Sequence, residues 1–310
     1  MLPTTTLPLE KLHAAFPNRV QFDVPLARYT AALVGGPADA FLVINTADEL
    51  AEAVEILWAE NIPFTLLGGG SNVMVSDAGV RGVVLLNRAK KVRFDQRKAT
   101  VWAESGANFG ALARQAATKS LTGLEWAAGV PGTVGGAVFG NAGAHDGDIA
   151  GNLIEADLLH RINGRETWPV KRLAYVYRGS ALKDNPGQAI VLSALLRLAH
   201  GSPEAIREKM DSFLTHRRRT QPPGASMGSM FKNPPGDFAG RLIDAAGLKG
   251  TRVGGAEISH LHGNFFINAG NATAHDVFAL IRLARQTVFE RFGVRLDLEI
   301  ELLGDWDEAI

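Results

Sequence analysis

The chain has 310 residues, 46% hydrophobic and 21% charged, a balance suited to packed globular units and unlike that of a disordered chain. Thirty-two basic residues offset thirty-two acidic ones, so net charge gives no reason to expect nucleic acid or an anionic membrane as partner. The absence of cysteine excludes disulfides, thiolate metal sites and cysteine nucleophiles. Met1-Leu2-Pro3-Thr4-Thr5-Thr6 lacks the charged-then-apolar pattern of a secretory signal, and no apolar stretch approaches the ~20 residues that span a bilayer. A cytoplasmic protein is expected.

In chain order, residues 1–20 read as a loosely held leader and 38–44 as a strand. Thr46-Ala47-Asp48-Glu49 reads as a capping box opening a helix, which Leu50, Val54, Leu57 and Trp58 continue at helical spacing up to Pro63. Residues 64–67 form a short buried strand that runs into Gly68-Gly69-Gly70-Ser71-Asn72. Short strands at 100–103, 155–160 and 190–198 and a helix at 108–119 make a second unit, interrupted by a long glycine-rich loop at 129–144. Ser202-Pro203 opens a helix to 216, followed by Arg217-Arg218-Arg219. Thr273-Ala274-His275-Asp276 caps another helix that Gly293 ends. A closing strand alternates Val294, Leu296, Leu298, Ile300 and Leu302 with Arg295, Asp297, Glu299 and Glu301. The architecture expected is α+β in three lobes.

Glycine makes up about 11% of the chain (34 of 310) against a typical ~7%, and it is clustered. Two glycine loops after short strands suit a diphosphate wrapped by backbone N–H groups, or else plain tight turns. Neither loop has the Gly-Lys-Ser/Thr ending of a P-loop or the spacing of a dinucleotide fingerprint. His260 and His262 lack a third ligand at matching spacing, so no metal is expected.

Leu67-Gly68-Gly69-Gly70-Ser71-Asn72-Val73, with Gly129-Val130-Pro131-Gly132-Thr133-Val134-Gly135-Gly136-Ala137 and Asn141-Ala142-Gly143, resembles the FAD-binding half of the UDP-N-acetylenolpyruvoylglucosamine reductase family, compact subtype, of the vanillyl-alcohol-oxidase-like flavoproteins. The resemblance runs from about Pro25 to Gly304. It implies a two-part FAD-binding module over 1–201 (subdomains about 20–88 and 89–201) and a C-terminal α+β substrate-binding domain over 202–310, whose last strand returns toward the flavin. It also implies FAD contacts from Thr30, Gly68, Gly69, Gly70, Ser71, Asn72, Val73, Gly129, Pro131, Gly132, Thr133, Gly135, Gly136, Ala137 and Asn141.

Tyr175-Val176-Tyr177-Arg178-Gly179-Ser180 resembles the family's Tyr-Arg-x-Ser motif, and Gly228-Ser229-Met230-Phe231-Lys232-Asn233-Pro234 its Gly-Ser-x-Phe-x-Asn-Pro motif. Leu298-Glu299-Ile300 falls where the family has a glutamate on the closing strand. By resemblance, Arg178, Ser229 and Glu299 are catalytic. NADPH reduces the flavin, hydride then passes to the enolpyruvyl β-carbon, and negative charge builds on the adjacent carbon and carboxylate. A guanidinium stabilises that charge, a protonated glutamate assists at the carboxylate, and a serine hydroxyl supplies the proton. From the residues alone, Arg178 reads equally as a surface ion-pair residue, Ser229 as a turn serine, and Glu299 as a solvated carboxylate no different from Asp297 or Glu301.

Substrate contacts implied are Tyr177, Arg219, Lys232, Asn233, His262 and Asn264. The arginine run reads either as a favourable helix C-terminus or as a grip on phosphates. Three positions depart from the family pattern: Leu33 and Leu261 replace basic residues, and Thr220 stands where lysine precedes Gln-Pro. The partners implied are UDP-N-acetylglucosamine enolpyruvate and NADPH, bound in turn. A flavin oxidase on the same scaffold and a non-catalytic nucleotide-sugar-binding protein are the alternatives.

Overall fold

The computed structural model describes residues 7–306, so the opening six residues, on which the missing-signal reading rests, lie outside it. The chain forms two compact units that interleave in sequence. The first comprises residues up to Phe22 with Ala40–Gly68 and Gly82–Leu214; the second comprises Asp23–Asp39, Gly69–Arg81 and residues from Thr215 on. A single cut at 201/202 was expected. Two short N-terminal segments instead join the C-terminal part, each by its own hydrogen bonds. Three apolar cores, two in the first unit and one in the second, correspond to the three α+β lobes.

The first core contains part of the expected leader. Leu9, Leu12 and Phe16 are buried, the last two on or just beyond a helix at Glu10–Ala15, and they pack with Leu42, Leu50, Val54 and Leu57. Residues 9–16 are therefore a packed element; each large apolar side chain so buried contributes ~1.5–3 kcal/mol. The strand Pro37–Ile44, helix Ala47–Ala59 and strand Phe64–Leu67 follow as expected, with Thr46 accepting the Glu49 N–H at 3.1 Å. The box closes one residue early, because the Glu49 carboxylate accepts from the Asn45 N–H (2.8 Å) and pairs with Arg19. That ion pair, first by its hydrogen bond, holds the Glu49 carboxyl below its usual range.

The second core lies on a five-stranded antiparallel sheet ordered Gly164–Pro169, Leu153–His160, Ala189–Arg197, Thr100–Glu104, Val92–Asp95. Helix Phe109–Thr118 covers it, capped by Asn108. The helix from Pro203 continues to Thr220, so the three arginines form its last turn and do not follow it.

In the second unit, strands Ala225–Ser229, Phe265–Asn268, Ala256–Ile258 and Arg252–Val253 form an antiparallel sheet. Helix Ala274–Phe292 packs Val277, Leu280, Ile281, Ala284 and Val288 into the core. Its capping box is complete at Thr273 and Asp276. Asp77, from the 69–81 segment, adds a second cap: its two carboxylate oxygens accept the Ala274 and His275 N–H groups, each at 2.9 Å. An acidic group at an unsatisfied helix N-terminus is stabilising. Asp77→Ala is expected to cost about 1–2 kcal/mol and lower the melting temperature by a few degrees, with Asp77→Asn losing less; calorimetry of the two variants checks this.

The expected closing strand, 294–302, is mostly unpaired backbone. Its burial alternates at the start, with Leu296 buried between exposed Arg295 and Asp297, and Ile300 is buried further on, but Leu298, Glu299, Glu301 and Leu302 are all half-buried and ladder hydrogen bonds form only locally. Leu298 bridges Phe231, and Glu301–Leu303 pairs in parallel with Val73–Val75. Periodicity recorded which side chains face the core and could not record where a partner strand is present. No helix among the described residues is long and apolar enough to cross a membrane.

Candidate active site

In the first unit, Phe64–Leu67 pairs in parallel with Val80–Asn87 and delivers Gly68 at the carboxyl end of the pair, the edge where α/β sheets take ligands. A Cβ on Gly68 would stand 2.6 Å from Thr133 Oγ1, so the two glycine loops touch here and a side chain is excluded. Thr133 in turn caps a helix, Val134–Gly140, accepting the Gly136 N–H at 3.4 Å. The expected loop over 129–144 thus contains a helical segment. Val134, Ala137 and Val138 bury one side of it. Gly136 and Gly140, four apart on one face, are bare: a Cβ at Gly136 meets only Thr133 Oγ1 (3.6 Å), and at Gly140 nothing lies within 4 Å. Gly129, Pro131 and Gly132 lead into the helix, and Gly135 presses its backbone on Ser105, 2.7 Å from N to O.

These residues fit a flavin dinucleotide. A hydroxyl and glycine backbone can approach a diphosphate, no carboxylate stands among them to repel it, and the bare helix face gives a flat group room against the backbone. Among the described residues, no group of three or more His, Cys, Asp or Glu side chains could hold a metal ion.

Arg178 sits in a tight turn fixed to the far end of the same helix. Val176 and Gly179 exchange both backbone hydrogen bonds (3.2 and 3.1 Å), and Arg178 holds a left-handed φ of 57°. Three side chains fix the turn. Tyr175 Oη donates to the Val138 carbonyl (2.8 Å), Ser180 Oγ to that of Phe139 (2.6 Å), and Asn141 Nδ2 to that of Val176 (3.0 Å). Burial, with Asp148 adding, pushes the Tyr175 hydroxyl well above its ordinary range, so it remains a donor. Asn141 Oδ1 accepts the Ala150 N–H (3.2 Å), which engages both ends of the amide with protein backbone. Tyr177 is exposed, with the Arg178 guanidinium carbon 5.6 Å from its ring centroid.

In the second unit, one hydrogen-bonded array gathers Asn72, Ser229, Glu299 and Asn264. Strand Ala225–Ser229 carries a bulge between Ser226 and Ser229, where Gly228 takes φ 80°. Such bulges re-aim a side chain, and this conformation favours glycine. Past Ser229, Met230 O accepts the Glu299 N–H (2.9 Å) and Asp297 O accepts that of Lys232 (2.9 Å). Asn72 closes the array, its Nδ2 donating to Glu299 O (3.1 Å) and its carbonyl accepting from Glu301 (2.9 Å). The exposed Gly69 and half-buried Ser71 and Val73 flank it, and Gly70 O accepts the Ala31 N–H (2.9 Å). The Thr30 hydroxyl is occupied in its own turn, donating to Val34 O at 2.8 Å.

The expected substrate residues divide. Asn233 Oδ1 accepts the Ala239 N–H (3.1 Å) beside half-buried Lys232. His262 abuts Gly240, and its Nδ1 accepts from Asn264 N (3.2 Å). Asn264 is buried, with its amide engaged by Phe231. Arg219 is exposed, whereas Arg217, not singled out by sequence, is half-buried and its guanidinium pKa is lowered by burial.

Burial, and then the Lys249 charge, hold the His262 imidazole below its ordinary 6.5. The fold therefore prefers neutral His262, while the unfolded chain takes up a proton near 6.5. Stability is full above that value and falls as pH drops below it. His262→Gln is expected to flatten this part of the melting temperature–pH curve; an unchanged slope would remove His262 as its source.

Residues 38–161 match the family profile described as FAD binding domain, which spans both glycine loops and much of the antiparallel sheet. The class follows: an α+β flavoprotein, an FAD-dependent oxidoreductase. Residues 220–303 match the profile for the C-terminal domain of UDP-N-acetylenolpyruvoylglucosamine reductase. The reductase of that name from Rubrobacter xylanophilus is 46% identical over 295 residues, covering 95% of this chain and 98% of its own. That of Chloroflexus aggregans is 42% identical over 93% of this chain and 99% of its own. The crystal structure of the Thermus caldophilus reductase superposes with a TM-score of 0.78 at 37% identity, covering 92% of this chain and 98% of that one. The chain belongs to the UDP-N-acetylenolpyruvoylglucosamine reductase family.

Proposed function

We propose that the protein uses NADPH to reduce UDP-N-acetylglucosamine enolpyruvate to UDP-N-acetylmuramate, in cytoplasmic peptidoglycan precursor synthesis. The observation that carries this reading is the array joining Asn72, Glu299 and Met230, next to Ser229, in a chain of this family. FAD, when bound, supplies reversible storage of a hydride. Overall, one NADPH and one proton are consumed, and the enolpyruvyl double bond gains a hydrogen on each carbon.

The cofactor-holding residues in this reading are Gly68 to Val73, Gly129, Pro131, Gly132, Thr133 and the Gly135–Gly136–Ala137 turn, with residues 202–310 taking the sugar nucleotide. Arg178 holds the substrate carboxylate where negative charge builds, a fixed cation that needs no reorganisation as the charge forms. Ser229 Oγ gives its proton to the carbon bearing the carboxylate, and protonated Glu299 offers that carboxylate a second donor. Tyr177, Lys232, Asn233, His262 and Arg219 or Arg217 serve the sugar and its phosphates.

Absorbance under anaerobic conditions tests the reading. The purified protein is expected to be yellow, to bleach with NADPH and to regain colour on adding the enolpyruvyl sugar. Colour regained only with dioxygen would favour an oxidase, and an absence of bleaching a non-catalytic binder.

A further inference from the structure

Asn264 is 3% exposed, and its carboxamide is clamped on a single residue. Oδ1 accepts the Phe231 N–H at 2.9 Å, while Nδ2 donates to the Phe231 carbonyl at 2.8 Å. Its own carbonyl accepts the Met230 N–H at 2.8 Å. Phe231 opposes Leu298 as a pair whose hydrogen bonds are made by its neighbours, so its own N–H and C=O point the other way and need a further strand. The next strand begins only at Phe265, paired with Ser229. The Asn264 carboxamide, offering Phe231 one N–H and its oxygen, takes the place of the missing peptide group.

We infer that Asn264 is a positioning residue for the reduction and not a sugar ligand: it restores the register that the Gly228 bulge interrupts, and so fixes Ser229 and Glu299 together. The assignment rests on the roles proposed above for those two residues. Ser229 precedes Met230, and Glu299 is tied to Met230 by its N–H at 2.9 Å, so a shift of the 230–231 backbone displaces both. Leaving the two buried Phe231 groups unpaired favours such a shift, since a buried peptide group without a partner keeps its full desolvation penalty.

Asn264→Asp separates positioning from bulk. The carboxylate can accept from Phe231 N–H, but its other oxygen faces the Phe231 carbonyl and repels it. Protonation restores the donor, and burial raises the pH at which this happens. The expected result at about pH 8 is NADPH bleaching as in the wild type and recovery by the enolpyruvyl sugar slowed about 100-fold, a defect typical of misplacement by about 1 Å. The variant-to-wild-type ratio should climb as pH falls toward 6. His262 on the same loop, Lys232 on the clamped segment, and Asp297 and Glu299 opposite are present in every variant, and the pH-independent ratio expected of Asn264→Ala separates their contribution from that of the introduced carboxyl. Asn264→Ala should be slow in recovery at every pH, with FAD content and melting temperature confirming a folded protein; if it does not fold, the Asp variant carries the test. Recovery at the wild-type rate in a folded variant overturns the assignment, as does equal slowing of both half-reactions. A wild-type protein that bleaches but does not recover overturns the functional reading, and this assignment with it.

Discussion

Ser229→Ala is expected to bleach with NADPH at the wild-type rate and to regain colour with the enolpyruvyl sugar about 10²–10⁴-fold more slowly, the range spanned by a lost general acid. The hydroxyl is the only group removed. Gly228 and the bulge, the Phe265 pairing and the Met230–Glu299 hydrogen bond are all made by backbone and persist in the variant. Cofactor content should therefore be unchanged, and the whole effect should fall on the half-reaction that needs a proton at carbon. Single-turnover absorbance in each direction measures the two rates separately. Equal losses in both would remove Ser229 from the proton-donating role.

Arg178→Lys is expected to slow recovery by about 10²–10³-fold, comparable with removal of one preorganised donor from a charge-stabilising site. Lysine keeps the charge but not the planar fork, and its compact ammonium is more strongly hydrated. The turn carrying Arg178 is held by Tyr175, Ser180 and Asn141 on backbone carbonyls, so the backbone position of Arg178 is inherited from the Val134–Gly140 helix. In Arg178→Lys those anchors remain, and NADPH bleaching should be spared. A variant with wild-type recovery would show that the charge alone suffices, or that Arg178 does not meet the substrate.

Much of this arrangement was legible in the sequence because it depends on local chemistry. Thr46, Asn108, Thr273 and Ser202 each marked a helix start, and each accepts a backbone N–H within the first turn of its helix. Gly68 announced a close approach, and its neighbour is Thr133 of the other glycine loop. What sequence could not supply was pairing at a distance. Alternation was real in burial over 294–297 and faded beyond it, and only Glu301–Leu303 found a strand. Asn141 sat within a family motif and Asn264 among the implied substrate contacts, and their amides serve backbone residues 35 and 33 positions away. Nothing in periodicity reports such a partner. Tyr175 and Ser180 were visible only as motif letters; Ser180 could have been found as an N-cap ahead of Ala181–Asp184, a role it holds. The discontinuous second unit was hidden for the same reason, because Asp77 and the Ala274–Phe292 helix it caps lie almost 200 residues apart.

The central claim, that this protein reduces the enolpyruvyl sugar with one hydride from NADPH and one proton, is tested most directly by anaerobic turnover with mass detection of the sugar nucleotide. One UDP-N-acetylmuramate, two hydrogens heavier than its precursor, should appear for each NADPH consumed. NADPH oxidation that requires dioxygen and leaves the sugar nucleotide at its original mass would contradict it.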